Sequence, residues 1–413
     1  MGVNWNDKYK ENQLNALILE GCNLSLSTAT LGIHSVISSA LSFHKDISEY
    51  DASNMVAQAL TDIRNKEIQQ SEFLNKINQL QKSYLRKQKK IFHVATSLSF
   101  QCETRIRSIK HDDVEIVFLK KFPSKYNRKG FIENNLTNIN SILQNPQIPS
   151  NYYPIIIKSK CRNPREAMKK AEDSLNFILG IWNYFLNIQK GPTTFFASVK
   201  ETPINKIVKG PIYTIHLENG NIAQKNLYFY ESDYYGPLPC HPLTSEINNI
   251  KKFEGFIKRR ISKKPKWAAI IKDSFVRYNR ALEYYSCKQS FIELWSILEH
   301  LTSTTKETNY DTTIRRVSNI YANEQELYEG LLNFIRIRRN SLVHLGEFRE
   351  HGMNITHQLK KYVEQMLEYH IIAIKLFSNL GEALEFLDLP SDQNKIKSRL
   401  KILKMFYKNR FSD

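Results

Sequence analysis

The spacing of apolar residues changes character twice along the 413-residue chain, which limits the possible folds more than any single motif does. Residues 1–92 contain no proline, and Phe73, Ile77, Leu80 and Tyr84 recur at i, i+4, i+7 and i+11, the spacing of one helical face. From 93 the text turns β-branched and aromatic, and segments 92–100, 112–122 and 154–160 predict strands. Pro164 sits at a first-turn position, and Ala167, Ala171, Leu175, Ile178 and Trp182 trace the buried stripe of a helix. Residues 210–231 read as strand again, with Asn219-Gly220 as a turn signal. From about 270 the period is helical to the end. Phe291, Leu294, Trp295, Leu298 and Leu301 form one stripe, Tyr328 to Leu345 a second helix, and Asn354 to Leu387 one long helix or two joined near Gly381. Pro390 and Ser391 open a last helix with Ile396, Leu400, Leu403 and Tyr407 on one face. The expectation is a mainly helical α+β fold: a helical region over 1–92, a mixed α/β region over 93–265 and a helical bundle over 266–413.

Hydrophobic residues make up 41% of the chain, enough for ordinary cores and too many for a mainly disordered protein. The net charge of +18 favours polyanionic partners, nucleic acid or an anionic membrane surface. The five cysteines lie far apart with no CxxC pair, which argues against a disulfide framework and a zinc ribbon. No signal-peptide pattern opens the chain, and no apolar run approaches the roughly 20 residues needed to span a bilayer. A cytoplasmic protein without integral membrane contact is expected. The basic run Arg86 to Lys90 reads as a solvated helix end. Tyr213, Tyr228, Tyr230, Tyr234 and Tyr235 either pack a sheet or stack on bases. The last helix carries Lys397, Arg399, Lys401, Lys404 and Lys408 on its polar face, which suits a bundle edge, nucleic acid or a membrane surface. No P-loop, nucleophile-elbow or zincin pattern occurs.

Chemistry concentrates in one segment, where Arg339, Asn340 and His344 interrupt an apolar helix. Leu332, Ile335, Arg339 and Leu342 fall at i, i+3, i+7 and i+10, so Arg339 lies on the apolar stripe. A guanidinium there has to face a carboxylate, an interface or an anion. His344 follows five residues later, about 140° further round a straight helix. The two side chains converge only if the helix ends or bends between them. Asn340 and Ser341 weaken it locally, and Gly346 is a natural stop. His351 and His357 stand six apart on opposite faces and do not read as metal ligands.

Arg339-Asn340-x-x-x-His344 resembles the Rx4–6H signature of HEPN domains, small helical bundles many of which are ribonucleases. The preceding segment 280–302, with Leu294-Trp295 followed by Leu298-Glu299-x-Leu301, resembles the opening helix of the ApeA-like HEPN group. The resemblance covers roughly 270–390 and makes 266–413 a HEPN-like bundle. It implies metal-independent cleavage of RNA to 2′,3′-cyclic phosphate and 5′-hydroxyl ends, without a cofactor. His344 would be the general acid or base. Arg339 would neutralise charge on the scissile phosphate. Asn340 would orient the histidine or the phosphate, and Glu299 would support the site from behind, or else be a solvated carboxylate or the salt-bridge partner of Arg339. The family further implies a homodimer or higher homo-oligomer, and a toxin or abortive-infection role. Residues 1–265 would then restrain the nuclease or sense a phage-derived or nucleic-acid trigger. The competing expectation is a non-catalytic HEPN module for RNA binding or oligomerisation, and a third is a peripheral membrane effector.

Overall fold

The structure, a computed structural model, describes residues 2–5, 28–63, 70–135, 139, 148–188, 203–225, 227–231, 234, 236–303, 309–321, 324–345, 352–390 and 392–411. Among these residues it is a mainly helical α+β fold with thirteen helices. The N-terminal layer is α1 (Thr28–Ser39), α2 (Glu49–Ile63) and α3 (Gln70–Arg86). Phe73, Ile77 and Tyr84 of α3 are buried as their spacing requires, and Phe73 and Ile77 pack with Ile37, Val56 and Leu60. Arg86 to Gln88 are exposed at the helix end.

A six-stranded antiparallel sheet follows, built from β1 (Lys90–Leu98), β2 (Ile109–His111), β3 (Val114–Phe118), β4 (Tyr153–Cys161), β5 (Ile212–Leu217) and β6 (Tyr228–Tyr230), in the order β2-β3-β4-β1-β5-β6. Helix α4 (Arg128–Asn134) lies between β3 and β4 in sequence, and α5 (Pro164–Ile188) runs from the end of β4 across the sheet. Its first turn is anchored to the N-terminal layer. Arg162 Nη1 donates to Asp46 Oδ2 at 3.2 Å and Glu166 Oε1 at 2.8 Å, and its Nε donates to the Leu85 carbonyl at 3.2 Å. Helices α6 (Ile247–Ile261), α7 (Pro265–Glu283), α8 (Cys287–Thr302), α9 (Tyr310–Ser318), α10 (Gln325–Leu345), α11 (Gly352–Leu376), α12 (Leu380–Leu387) and α13 (Gln393–Phe411) complete the chain.

The division expected at 265 does not separate two cores. One cluster of buried side chains runs from Phe92 in the sheet through Trp182 and Phe275 to Leu387. Pro265 opens α7, since its fixed φ suits a first helical turn. Helices α5 and α7 approach so closely at Gly180 that an added Cβ there would overlap the Phe275 carbonyl oxygen. Buried asparagines fix the same contact: Asn183 Nδ2 donates to Asn279 Oδ1 at 2.9 Å, and Asn279 Nδ2 to Asn176 Oδ1 at 3.0 Å. Gly180→Ala should therefore destabilise the protein by about 1–3 kcal/mol, because a backbone carbonyl cannot rotate away as a side chain can. That loss outweighs the ~1 kcal/mol helix-propensity gain of alanine. Urea unfolding checks the sign, and a raised midpoint would show that propensity wins.

At the C-terminus the second of the two forms expected for 354–387 is the one found, and the bundle-edge reading of the last helix is corrected. The segment 354–387 is two helices, broken at Phe377–Asn379, where Asn379 caps α12 by accepting from the Glu382 amide at 3.1 Å. Helix α13 is not a bundle edge: none of its residues is buried, and Ile396, Leu400, Leu403 and Tyr407 are 42–66% exposed. No helix among the described residues is long and apolar enough to cross a membrane.

Candidate functional site

Helix α10 forms because Leu332, Ile335 and Leu342 bury one stripe against the bundle, at 0%, 3% and 6% exposure. No bend or end occurs between Arg339 and His344. The helix runs unbroken through Asn340 and Ser341 to Leu345, one residue beyond His344. The backbone positions of Arg339 and His344 therefore stay about 140° apart on one helix. The side chain of His344 lies outside the described residues.

Arg339 is half-buried, at the edge of the apolar stripe. Its guanidinium lies 5.4 Å from the centre of the Tyr310 ring at the start of α9. This cation–π contact partly replaces the lost hydration of the charge. Nη1 donates weakly to Asn340 Oδ1 at 3.4 Å, and Nε is buried with no acceptor among the described residues. Among the described residues no carboxylate is ion-paired with Arg339. Its neighbours differ: Arg336 meets Asp311 at 2.8 Å, while Arg315 and Arg316 share Asp388 at 2.8 and 2.6 Å. The arginine on the stripe thus keeps unmet capacity for an anion.

Glu299 is not the salt-bridge partner of Arg339. Its Oε1 accepts from Trp295 Nε1 at 2.7 Å on the same helix. Trp295 in turn faces Tyr310, with ring centres 6.2 Å apart. Glu299, Trp295, Tyr310 and Arg339 form a continuous chain of contacts across α8, α9 and α10. Glu299 holds the indole, the indole supports the tyrosine, and the tyrosine supports the guanidinium. Asn340 touches the arginine, a contact that its expected role of orienting the histidine or the phosphate did not include.

Tyr310 is the residue that sequence reasoning missed. It follows a polar stretch, and its partner comes from another helix, so no periodicity marks it. The outer face of α10 adds a second unforeseen feature: Leu327, Leu331, Phe334 and Ile337 are 39–58% exposed, the first three at i, i+4 and i+7. Of the tyrosines considered for stacking, Tyr213 and Tyr234 are buried, Tyr228 is half-buried and Tyr230 is exposed, whereas Tyr235 lies outside the described residues. His357 is half-buried, and burial pushes its imidazole down to about 4; His351 lies outside the described residues. Among the described residues no three His, Cys, Asp or Glu side chains gather into a metal-binding set. Comparison of the chain with family models, curated proteins and solved structures finds no match.

Proposed function

We propose that the chain is a metal-independent endoribonuclease of the HEPN type, acting in the cytoplasm as a toxin or abortive-infection effector. The observation that carries this reading is the half-buried Arg339 guanidinium, held by Tyr310 and Asn340, with a buried Nε that lacks an acceptor among the described residues. A scissile phosphate supplies the missing acceptor. In the proposed reaction His344 takes the proton from a ribose 2′-hydroxyl, and the 2′-oxygen attacks the phosphorus. The bond to the 5′-oxygen breaks, and that oxygen leaves as a hydroxyl once protonated. Arg339 stabilises the charge building on the phosphoryl oxygens. Glu299 acts through Trp295 and Tyr310 as a positioning residue.

Two copies suit the reading better than one. The unbroken helix keeps Arg339 and His344 about 140° apart, so a cleft between two motifs can offer an arginine from one copy and a histidine from the other. The exposed Leu327, Leu331 and Phe334 provide an apolar stripe on α10 itself for such an association. The remainder of the chain would restrain the nuclease or respond to a phage-derived or nucleic-acid trigger.

The test is to incubate the purified full chain with tRNA, ribosomal RNA and messenger RNA, with and without EDTA, and to map the ends. Cleavage that persists in EDTA and leaves 2′,3′-cyclic phosphates is expected. Loss of cleavage in EDTA, or 5′-phosphate ends, contradicts the mechanism. The second reading is a non-catalytic HEPN module, and the divergence of Arg339 and His344 on α10 favours it. It predicts RNA retention in a gel shift with every phosphodiester intact.

A further inference from the structure

The sheet region holds a cavity of about 1210 Å³ that the proposed nuclease does not use. It opens where β3 leaves the sheet, between the segment 119–129 and the approach to β4. The lining carries the cations Lys120, Lys121, Arg128 and Lys129, and among its aromatic residues Phe100 and Tyr152 are buried while Tyr153 is half-buried. Glu103 and Glu133 also reach the lining, so cations exceed carboxylates there.

Arg128 is the decisive group. Its Nη2 donates to the Ile212 carbonyl at 2.8 Å, and its guanidinium lies 5.1 Å from the centre of the Phe122 ring. Nε is buried and has no acceptor among the described residues. Among the described residues no carboxylate pairs with it, and burial alone pushes its guanidinium down to about 10. Lys129 meets Glu133 only loosely, at 3.8 Å, and among the described residues neither Lys120 nor Lys121 is ion-paired. A desolvated guanidinium fixed by a carbonyl and an aromatic face, but given no counter-charge, is built for an anion that arrives from outside. The volume exceeds what phosphate alone fills, and the half-buried ring of Tyr153 offers a planar group a surface.

We propose that this cavity binds a nucleotide, its phosphate on Arg128 with Lys120 and Lys121 and its base against Tyr153. The site does not depend on the nuclease reading, because the residues involved lie in the sheet region and the readout is binding alone.

The experiment is calorimetric titration of the full chain with AMP, ADP, GTP, a cyclic dinucleotide, inorganic phosphate and a short RNA, at about 0.15 M salt. At least one nucleotide should bind at one site per chain with Kd below about 1 mM, and inorganic phosphate at least about tenfold more weakly. Arg128→Gln should weaken the nucleotide by about 10–100-fold, the range of a lost charge-assisted contact. Should that variant not fold, Lys120→Gln combined with Lys121→Gln decides, with a loss of about tenfold expected. Binding of no nucleotide at millimolar concentration overturns the proposal. So does phosphate binding as tightly as nucleotide, RNA binding without any nucleotide binding, or nucleotide affinity unchanged in the folded variants.

Discussion

Replacing His344 by alanine should lower RNA cleavage by about 10²–10⁴-fold, the range for removing a general acid or base. Arg339→Ala should cost about 10²–10³-fold, because charge stabilisation at the phosphate is lost with the guanidinium. Arg339→Lys should rescue little of that. An ammonium keeps the charge but loses the planar fork and the flat face resting on Tyr310. These losses should appear with circular dichroism and oligomeric state unchanged, which separates a chemical role from a structural one. Glu299→Gln gives an intermediate case: the indole keeps an acceptor, so cleavage should fall far less than in Glu299→Ala. Full activity in both His344→Ala and Arg339→Ala would remove the site assignment, whatever else the protein does to RNA.

The second large effect is on stability in acid. His93, His216 and His370 are 5%, 0% and 0% exposed, and burial pushes each imidazole down to about 4. His370 shows why. Trp267 Nε1 donates to its Nδ1 at 3.0 Å, and its Nε2 faces the Leu301 carbonyl at 2.8 Å, so the ring must donate through Nε2 and accept through Nδ1. Protonation would place two N–H groups against each other. The folded value lies below the unfolded value of about 6.5, so the unfolded chain binds more protons in between. Stability is therefore full above about 6.5 and is lost as pH falls towards 4, by up to about 3 kcal/mol for His370. Glu283 works in the opposite direction. Burial holds its carboxyl up near 7 despite Lys209 beside it, so acid relieves it over the same window. It offsets about one histidine of the three. The urea midpoint should fall steeply between pH 7 and pH 4.5, and His370→Gln should flatten that slope. A midpoint independent of pH across this window contradicts the buried-neutral reading.

How much of this was legible in the sequence depended on whether a feature is periodic. The stripe of Leu332, Ile335 and Leu342, and that of Phe291, Leu294, Trp295, Leu298 and Leu301, were readable because burial on one helical face imposes its own spacing, and all eight are buried. The same rule misjudged α13. Periodicity says which face of a helix is apolar, not whether anything covers it, and Ile396 to Tyr407 show the pattern of a packed helix while lying exposed. Asn340 and Ser341 weaken α10 locally, but their propensity deficits of a few tenths of a kcal/mol yielded to the packing of Ile335 and Leu342 on either side. Strand text was readable, but the sheet order was not: β1 pairs with β4 and β5, partners more than 50 residues away in sequence. The cradle of Arg339 and the unpaired Arg128 were invisible for a related reason. Their meaning lies in Tyr310, Phe122 and the Ile212 carbonyl, groups that come close only in three dimensions.

The account turns on a 2′-oxygen attacking a phosphate held by Arg339. The most direct measurement uses a short RNA cut at one mapped position, remade with a single 2′-deoxy nucleotide on the 5′ side of the cut and incubated with the full chain in EDTA. The account predicts that cleavage at that bond stops while neighbouring ribonucleotide bonds remain susceptible. Continued cleavage at the deoxy position would contradict it, because no nucleophile of the proposed kind is left there.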